Sequence, residues 1–190
     1  NRLAKRHVAF RRITDRLRGN ANNTTPHLPE DQALQLARKR TNVTPTELQQ
    51  LAQHPSPAVR AQVARNRLTP PDALTTLAAD KDPEVQRVIC YNPNRPTEAD
   101  LTLTKTGNLK IHKILADTTT NQEALLVLAK SNDEDVAINT AHNPNTLTYA
   151  LIGLLNSPHE LARWYAGEQL KDRNVPGYET NPIRKPEWMD

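Results

Sequence analysis

Apolar and polar positions repeat along this chain with a period of about 25 residues. The repeated unit is an apolar residue, three others, a second apolar or bulky residue and then a small residue. Its five copies are Val59-x-x-x-Val63-Ala64, Val85-x-x-x-Ile89-Cys90, Ile111-x-x-x-Leu115-Ala116, Val136-x-x-x-Thr140-Ala141 and Leu161-x-x-x-Tyr165-Ala166. Successive copies are offset by 26, 26, 25 and 25 residues. This nearly constant spacing predicts a tandem repeat.

A second apolar set at helical spacing precedes each copy. In the first repeat Leu48 is followed by Leu51 and Ala52, and the i, i+3, i+4 spacing places them on one helix face. The other sets are Leu74 with Leu77 and Ala78, Leu125 with Leu128 and Ala129, Leu151 with Leu154 and Leu155, and the degraded Leu101 with Leu103. Each repeat is therefore predicted to be two helices. Helices this short are unstable alone, so the fold must depend on stacking between neighbours.

Helix boundaries also have recognisable signals. A threonine precedes an acidic residue by three positions at Thr44, Thr69, Thr97 and Thr120, which predicts a capping box at the start of each first helix. Ser56, Asp82, Asp133 and Ser157 are the predicted caps of second helices. Helix ends are predicted at Asn66, Asn92 and Asn143, because asparagine tolerates the left-handed backbone conformation.

The segment from Leu74 to Asn94 contains Leu-x-x-Leu-Ala, Asp-Pro-x-Val and Asn-Pro motifs. With these motifs it resembles the leucine-rich repeat variant family of HEAT-like α-solenoid repeats, and the resemblance extends over residues 44–168. HEAT and armadillo repeats proper are longer, at ~40–47 residues. The resemblance implies a right-handed superhelix of alternating α- and 3₁₀-like helices, in which the second helix of each repeat is the 3₁₀-like one. We therefore expect an all-α, right-handed α-solenoid of about five two-helix repeats.

Three regions are expected along the chain. Residues 1–40 would form basic N-terminal capping helices, residues 41–173 the helical repeat array, and residues 174–190 an extended C-terminal tail. The tail is rich in proline, and its apolar residues Tyr178, Ile183, Trp188 and Met189 are expected either to dock on the stack or a partner or to lie in a disordered end.

Positive charge is concentrated in the first region. Residues 1–40 contain ten Lys and Arg against three Asp and Glu, a balance of +7, whereas the whole chain carries +4. Leu3, Phe10, Ile13 and Leu17 predict a narrow apolar stripe on a helix. The candidate partner-binding residues are Arg2, Lys5, Arg6, Arg11, Arg12, Arg16 and Arg18. Three roles remain open for them, namely capping of the solenoid, binding of an anionic partner such as nucleic acid, and contact with a membrane surface.

The rest of the sequence contains no recognisable catalytic or metal-binding motif. The single cysteine, Cys90, excludes a multi-cysteine metal site and an intramolecular disulfide. It aligns with Ala64, Ala116 and Ala141, which predicts a buried packing residue. The iron–sulfur cysteine cluster associated with a member of the family has no counterpart here, so the resemblance transfers no functional residue. We expect no catalytic residue, metal site or cofactor.

The expected function is therefore a non-enzymatic helical-repeat interaction module that binds a protein or peptide partner, without a small-molecule substrate. Nucleic-acid binding through the basic N-terminal helix and phosphate contacts is the alternative. An enzyme on a helical scaffold is a third hypothesis, which requires a carboxylate and aromatic side chains in one groove. No transmembrane segment or signal peptide is predicted, and one cysteine suits a reducing compartment, so we expect a cytoplasmic location.

Overall fold

A computed structural model of the chain describes residues 28–189, and within this range the regular structure is entirely helical. The α-helices are α1 (Glu30–Ala37), α2 (Pro45–Leu51), α3 (Pro57–Arg65), α4 (Pro71–Ala78), α5 (Pro83–Ile89), α6 (Thr97–Leu103), α7 (Leu109–Thr118), α8 (Gln122–Leu128), α9 (Glu134–His142), α10 (Thr148–Leu154) and α11 (Glu160–Asp172). Short 3₁₀ helices cover Thr104–Thr106 and Glu187–Met189. The predicted all-α class is confirmed.

Helices α2 to α11 form five helix pairs, which we number repeats 1 to 5. The first helices of the pairs make one row, in which α2, α4, α6 and α8 contact each other in order. The second helices make another row, in which α1, α3, α5, α7, α9 and α11 contact each other in order. This packing is that of a helical repeat solenoid, as predicted.

The second helices are α-helical and not 3₁₀-like. The 3₁₀ geometry implied by the resemblance is therefore wrong for this chain. Each of these helices has seven or more residues, and several begin with a proline or a capping side chain that suits an α-helical first turn. Runs of 3₁₀ helix longer than three or four residues are uncommon because their hydrogen bonds are poorer.

The apolar positions of the repeat form the core. Val59, Val63, Val85, Ile89 and their equivalents in repeats 3 and 4 are almost completely buried. Leu48, Leu74, Leu125 and Leu151 are buried from the first-helix side. Because full burial of such a side chain is worth about 1.5–3 kcal/mol, stacking of neighbouring pairs supplies the stability that one pair lacks.

Only one of the four predicted capping boxes forms. The backbone N–H of Glu47 donates to Oγ1 of Thr44 at 3.2 Å, and the Thr44 N–H donates to Oε2 of Glu47 at 2.7 Å. Thr69 instead donates its hydroxyl hydrogen to the buried carbonyl of Val63 at 2.6 Å. Thr97 is the first residue of α6 and follows its N-cap residue Pro96. Asn121, and not Thr120, caps α8.

The caps of the second helices follow the sequence more closely. The side chains of Asp82 and Asp133 accept hydrogen bonds from backbone N–H groups in the first turns of α5 and α9, as predicted. Ser56 occupies the N-cap position of α3 without a side-chain bond. The predicted cap at Ser157 is wrong, because α11 begins two residues later than expected and His159 precedes it.

Asparagines connect successive second helices. Nδ2 of Asn66 donates to the carbonyls of Ala37 at 2.7 Å and Lys39 at 2.8 Å, and Nδ2 of Asn92 donates to those of Ala64 at 2.6 Å and Asn66 at 3.1 Å. In repeat 4, Nδ2 of Asn143 donates to the carbonyls of Ala116 at 2.9 Å and Thr119 at 3.0 Å. All three side chains are buried. We call Asn66, Asn92 and Asn143 the inter-repeat asparagines.

The predicted left-handed conformation is wrong for Asn66 and Asn143. Their φ angles are −73° and −65°, and their ψ angles lie in the extended region. Asparagine stands at these positions because its amide satisfies carbonyls that the preceding helix end leaves without partners. Its Oδ1 also accepts a backbone N–H two residues later, from Leu68 at 2.9 Å and Asn145 at 2.9 Å.

Residues after α11 pack back onto the last repeat. Val175 and Tyr178 contact the apolar cluster of α9, α10 and α11, and Pro186 is buried. Nδ2 of Asn181 donates to the carbonyl of Trp164 at 3.0 Å and to Oε1 of Glu168 at 2.9 Å. The amide of this tail residue thus bonds to α11 much as an inter-repeat asparagine bonds to the helix before it.

Because Gly167 on α11 has no side chain, the side chain of Asn181 can pack directly against the helix. A Cβ added at Gly167 would lie 1.9 Å from Oδ1 of Asn181. In Gly167→Ala we therefore expect the amide to leave its partners and the tail to loosen, which trypsin cleavage after exposed Arg184 would detect as a faster reaction. In Asn181→Ala the clash is absent, and alanine favours a helix by about 1 kcal/mol over glycine. Adding Gly167→Ala to Asn181→Ala should therefore raise the melting temperature. Equal effects in both backgrounds would contradict this contact.

Candidate functional site

The predicted partner-binding residues Arg2, Lys5, Arg6, Arg11, Arg12, Arg16 and Arg18 all lie outside the residues that the structure describes. Their role stays a prediction. Within residues 28–189, candidate sites are the places where one repeat differs from the others. Three such places stand out, in repeat 3, between repeats 1 and 2, and between repeats 4 and 5.

Repeat 3 has a buried carboxylate in the apolar core. Asp100 is 2% exposed and occupies the position of Leu74 in repeat 2 and Leu125 in repeat 4. Nε of Arg95 lies 2.5 Å from its Oδ1, and the hydroxyl of buried Thr119 donates to its Oδ2. Arg95 in turn occupies the position of Thr69 and so replaces a small hydroxyl side chain.

The same repeat lacks an inter-repeat asparagine. Thr118 stands at that position, and its hydroxyl bonds within α7 to the carbonyl of Ile114 at 2.7 Å. The carbonyl of Cys90, which an asparagine would otherwise reach, accepts from Nη1 of Arg95. In repeat 3, Arg95 thus takes over the Cys90 carbonyl that an inter-repeat asparagine would bind. The buried Arg95–Asp100 pair therefore has a structural role in place of that asparagine.

Arg60 and Asp80 join repeats 1 and 2 beside a cleft of about 360 Å³. Nε of Arg60 donates to Oδ2 of Asp80 at 2.6 Å, and Nη2 donates to Oδ1 at 3.0 Å. Burial alone would raise the pKa of Asp80, but hydrogen bonds from Arg60 and from the Asp82 backbone hold that pKa below its usual value. Nη1 of Arg60 also donates to the His54 carbonyl at 2.8 Å. These groups hold two repeats together.

A groove between the first helices α8 and α10 has a different character. It encloses about 360 Å³, and it arises because α10 packs on α9 and α11 without an extensive contact to α8. Gly153 contributes no side chain, and a Cβ built there would meet nothing within 4 Å. The apolar residues that line it are Leu126, Ala129, Tyr149, Ala150, Gly153 and Leu154. We call this feature the α8–α10 groove.

Exposed apolar side chains occur on both helices of the groove. Tyr149, which lines the groove, is 59% exposed, whereas Val127 on α8 and Ile152 on α10, which are not among its lining residues, are 47% and 37% exposed. Two polar residues, Lys130 and Asn132, lie on its rim at the end of α8. Contiguous apolar surface with a polar rim is typical of an interaction site.

The apolar outward surface occurs in repeats 4 and 5 and not in repeats 1 and 2. The two outward positions after the core leucine are Gln49 and Gln50 in repeat 1 and Thr75 and Thr76 in repeat 2. The same positions are Leu126 and Val127 in repeat 4 and Ile152 and Gly153 in repeat 5. The first-helix face therefore changes from polar to apolar along the stack. This difference was present in the sequence, but comparison of buried positions alone did not reveal it.

Two further reactive side chains, Cys90 and His142, are accounted for by packing. Cys90 is buried, as predicted, and burial raises the pKa of its thiol to about 11, so the unreactive thiol form dominates at neutral pH. His142 is exposed, and its ring meets Tyr165 edge to face with the ring centres 5.1 Å apart. No group of three His, Cys, Asp or Glu among residues 28–189 is arranged to hold a metal ion.

Neither cleft has the lining that the enzyme hypothesis requires. The Arg60–Asp80 cleft contains a carboxylate but no Phe, Tyr or Trp, and the α8–α10 groove contains Tyr149 but no carboxylate among its described lining residues. Across residues 28–189, none of the helices is both long enough and apolar enough to cross a membrane.

The Arg95–Asp100 pair of repeat 3 can be tested by its effect on the free energy of unfolding. Asp100→Leu restores the apolar position of the other repeats but leaves Arg95 buried without a carboxylate, so we expect a loss of about 3–5 kcal/mol. Adding Arg95→Thr, which matches Thr69, removes that buried charge and should recover most of the loss. Urea unfolding measures both variants. The interpretation fails if Asp100→Leu alone is as stable as wild type, or if the double variant is no more stable than the single one.

Comparisons with known proteins agree with the repeat architecture. The sequence model of the family described as leucine rich repeat variant matches residues 57–82, which run from the start of α3 to the loop before α5. No curated protein and no solved structure matches the chain. Residues 57–82 thus contain a repeat of the leucine rich repeat variant type, and the predicted resemblance to this family is confirmed over these residues.

Proposed function

We propose that this helical repeat module is a non-enzymatic protein-binding module whose α8–α10 groove receives a peptide segment of its partner. The observation that carries the proposal is the change of the first-helix face from polar in repeats 1 and 2 to apolar in repeats 4 and 5. Stacking alone does not require this change, because Leu126, Val127 and Ile152 are additional to the buried leucines of the core.

The dimensions of the groove support a peptide ligand. A volume of about 360 Å³ falls within the range of pockets that accept side chains or small ligands, about 300–1,000 Å³. Two helices flank the groove, which favours the mode in which an amphipathic helix or short segment inserts apolar side chains between helices. Exposed Tyr149 adds a large aromatic surface with a polar tip, a type of residue enriched at binding hot spots.

The lining favours binding over catalysis. Its polar members are the side chains and backbone of the two loops that follow α8 and α10, including Ser131, Asn132, Asn156 and Ser157. Ser131 is already used structurally, since its Oγ accepts the Asp133 N–H at 3.1 Å. Hydroxyl and amide groups of this kind orient a peptide by hydrogen bonds. The neighbouring imidazole of His159 bonds through Nε2 to the Asn132 carbonyl at 3.0 Å and not to a serine hydroxyl, so it does not act as the base that a serine nucleophile needs.

Filling the groove tests the proposal. Peptides would be selected from a random displayed library on the wild-type protein, and their affinities then measured for Gly153→Leu. The added side chain enters open space and replaces a helical glycine, so the fold should be kept while binding weakens at least tenfold. Thr76→Leu is the matched control, because Thr76 holds the same position in repeat 2, and it should bind like wild type. Selected peptides that bind Gly153→Leu as tightly as wild type would contradict the assignment.

Nucleic-acid binding through the N-terminal arginines is the second candidate. Its support is the balance of +7 in residues 1–40, and binding of this kind would use phosphate contacts and fall steeply with salt. A salt titration of duplex DNA binding by wild type and by Arg11→Glu/Arg12→Glu tests it. No binding at low salt would exclude this candidate.

A further inference from the structure

We propose that the α8–α10 groove receives residues 1–18 of a second copy of this chain, so that the protein associates head to tail. This inference rests on the proposed function of the groove as a peptide-binding site and names its occupant. It is carried by three observations: the charge around the groove, the apolar pattern of residues 1–18, and the distance along the stack.

Charge complementarity is the first observation. Residues 119–160, which run from the loop before α8 to the first residue of α11, contain one Lys and five Asp or Glu, a balance of −4. Residues 1–18 contain seven Lys or Arg and one Asp, a balance of +6. Opposite charges of this size steer encounter and favour a basic occupant over an acidic one.

Several of those carboxylates are available to a partner. Asp133 and Asp135 are already held by Nζ of Lys113 at 3.6 Å and 2.7 Å. Glu123, Glu134 and Glu160 are exposed, and none has a Lys or Arg nitrogen within 4.0 Å in the described part of the chain. Glu134 and Glu160 each follow a residue of the groove rim, Asn132 and Pro158, by two positions. A basic segment in the groove would therefore have two anionic neighbours, Glu134 and Glu160, and one cationic neighbour, Lys130, which lines the groove.

The apolar pattern is the second observation. Leu3, Phe10, Ile13 and Leu17 are predicted to share one helix face, with Arg and Lys over the other surface. The groove is complementary to such a segment, because the apolar stripe would contact Leu126, Tyr149 and Leu154 while the cations remain near Glu134, Glu160 and solvent. Residues 1–18 thus combine the apolar stripe and the positive charge that would suit this groove.

Distance favours a second copy over the same chain. Residue 28 precedes α1 at one end of the stack, and α10 belongs to the fifth repeat. Packed helices lie about 8–10 Å apart, so five such steps separate the two ends by roughly 45 Å. Residues 19–27 span at most about 30 Å when fully extended. Contact between different surfaces of two copies is heterologous, and it continues into open chains when the geometry does not close a ring.

The experiment is sedimentation equilibrium of the full chain over a range of protein and salt concentrations. For wild type we expect a mass that rises above the 21.4 kDa monomer with concentration and returns to it at high salt. Gly153→Leu and Arg11→Glu/Arg12→Glu should each remain monomeric under the same conditions. The controls Thr76→Leu and Arg67→Glu/Arg184→Glu, the second of which makes the same charge change at exposed sites, should associate like wild type.

Mixing the two defective variants provides the sharpest outcome. Gly153→Leu keeps its N-terminal segment and Arg11→Glu/Arg12→Glu keeps its groove, so the mixture has one intact interface and should form a 1:1 complex of about twice the monomer mass. Wild type that stays monomeric at low salt, or association that Gly153→Leu leaves unchanged, would overturn the proposal. If selected peptides still bind in a Gly153-dependent manner, the proposed function stands and only the second-copy occupant is wrong. Duplex DNA binding lost in Arg11→Glu/Arg12→Glu, without self-association, would assign the arginines to nucleic acid instead.

Discussion

The buried amide bonds between successive second helices are the interaction on which the rest of this structure depends. Each helix pair is too short to be stable alone, and apolar stacking by itself fixes neither the register nor the spacing of the pairs. Asn66, Asn92 and Asn143 each reach back to the carbonyls that end the preceding second helix. An unsatisfied buried carbonyl is costly, so these bonds favour a single arrangement of neighbouring repeats.

This constraint acts on one row of helices and leaves the other free to vary. The asparagines hold the second helices, whereas the outward positions of the first helices have no partner that the stacking requires. In repeats 1 and 2 those positions are polar, and in repeats 4 and 5 they are apolar around Gly153. The α8–α10 groove opens where two first helices lack an extensive contact. The row of second helices supplies a stable scaffold, and the row of first helices carries the surface that varies and can bind a partner.

Periodicity predicted the architecture well, because burial in a stack imposes the same residue types at the same positions in every copy. Local polar signals were less reliable. Thr69 and Thr97 match a capping pattern, but Thr69 bonds to the Val63 carbonyl, and Thr97 is the first residue of α6, one position after the N-cap. A short polar side chain has several backbone partners within reach, and only the packed structure decides between them. The groove depends on Gly153 and on a gap between helices, which no single-repeat pattern specifies.

Equilibrium unfolding of Asn92→Ala in urea, beside the exposed control Gln49→Ala, tests the central claim about the amide bonds most directly. Asn92 bonds to two carbonyls of the preceding repeat, and each buried group left unsatisfied costs about 1–3 kcal/mol. We therefore expect Asn92→Ala to lose at least about 2 kcal/mol and Gln49→Ala to change stability by less than about 0.5 kcal/mol. Equal stability of the two variants would contradict the account.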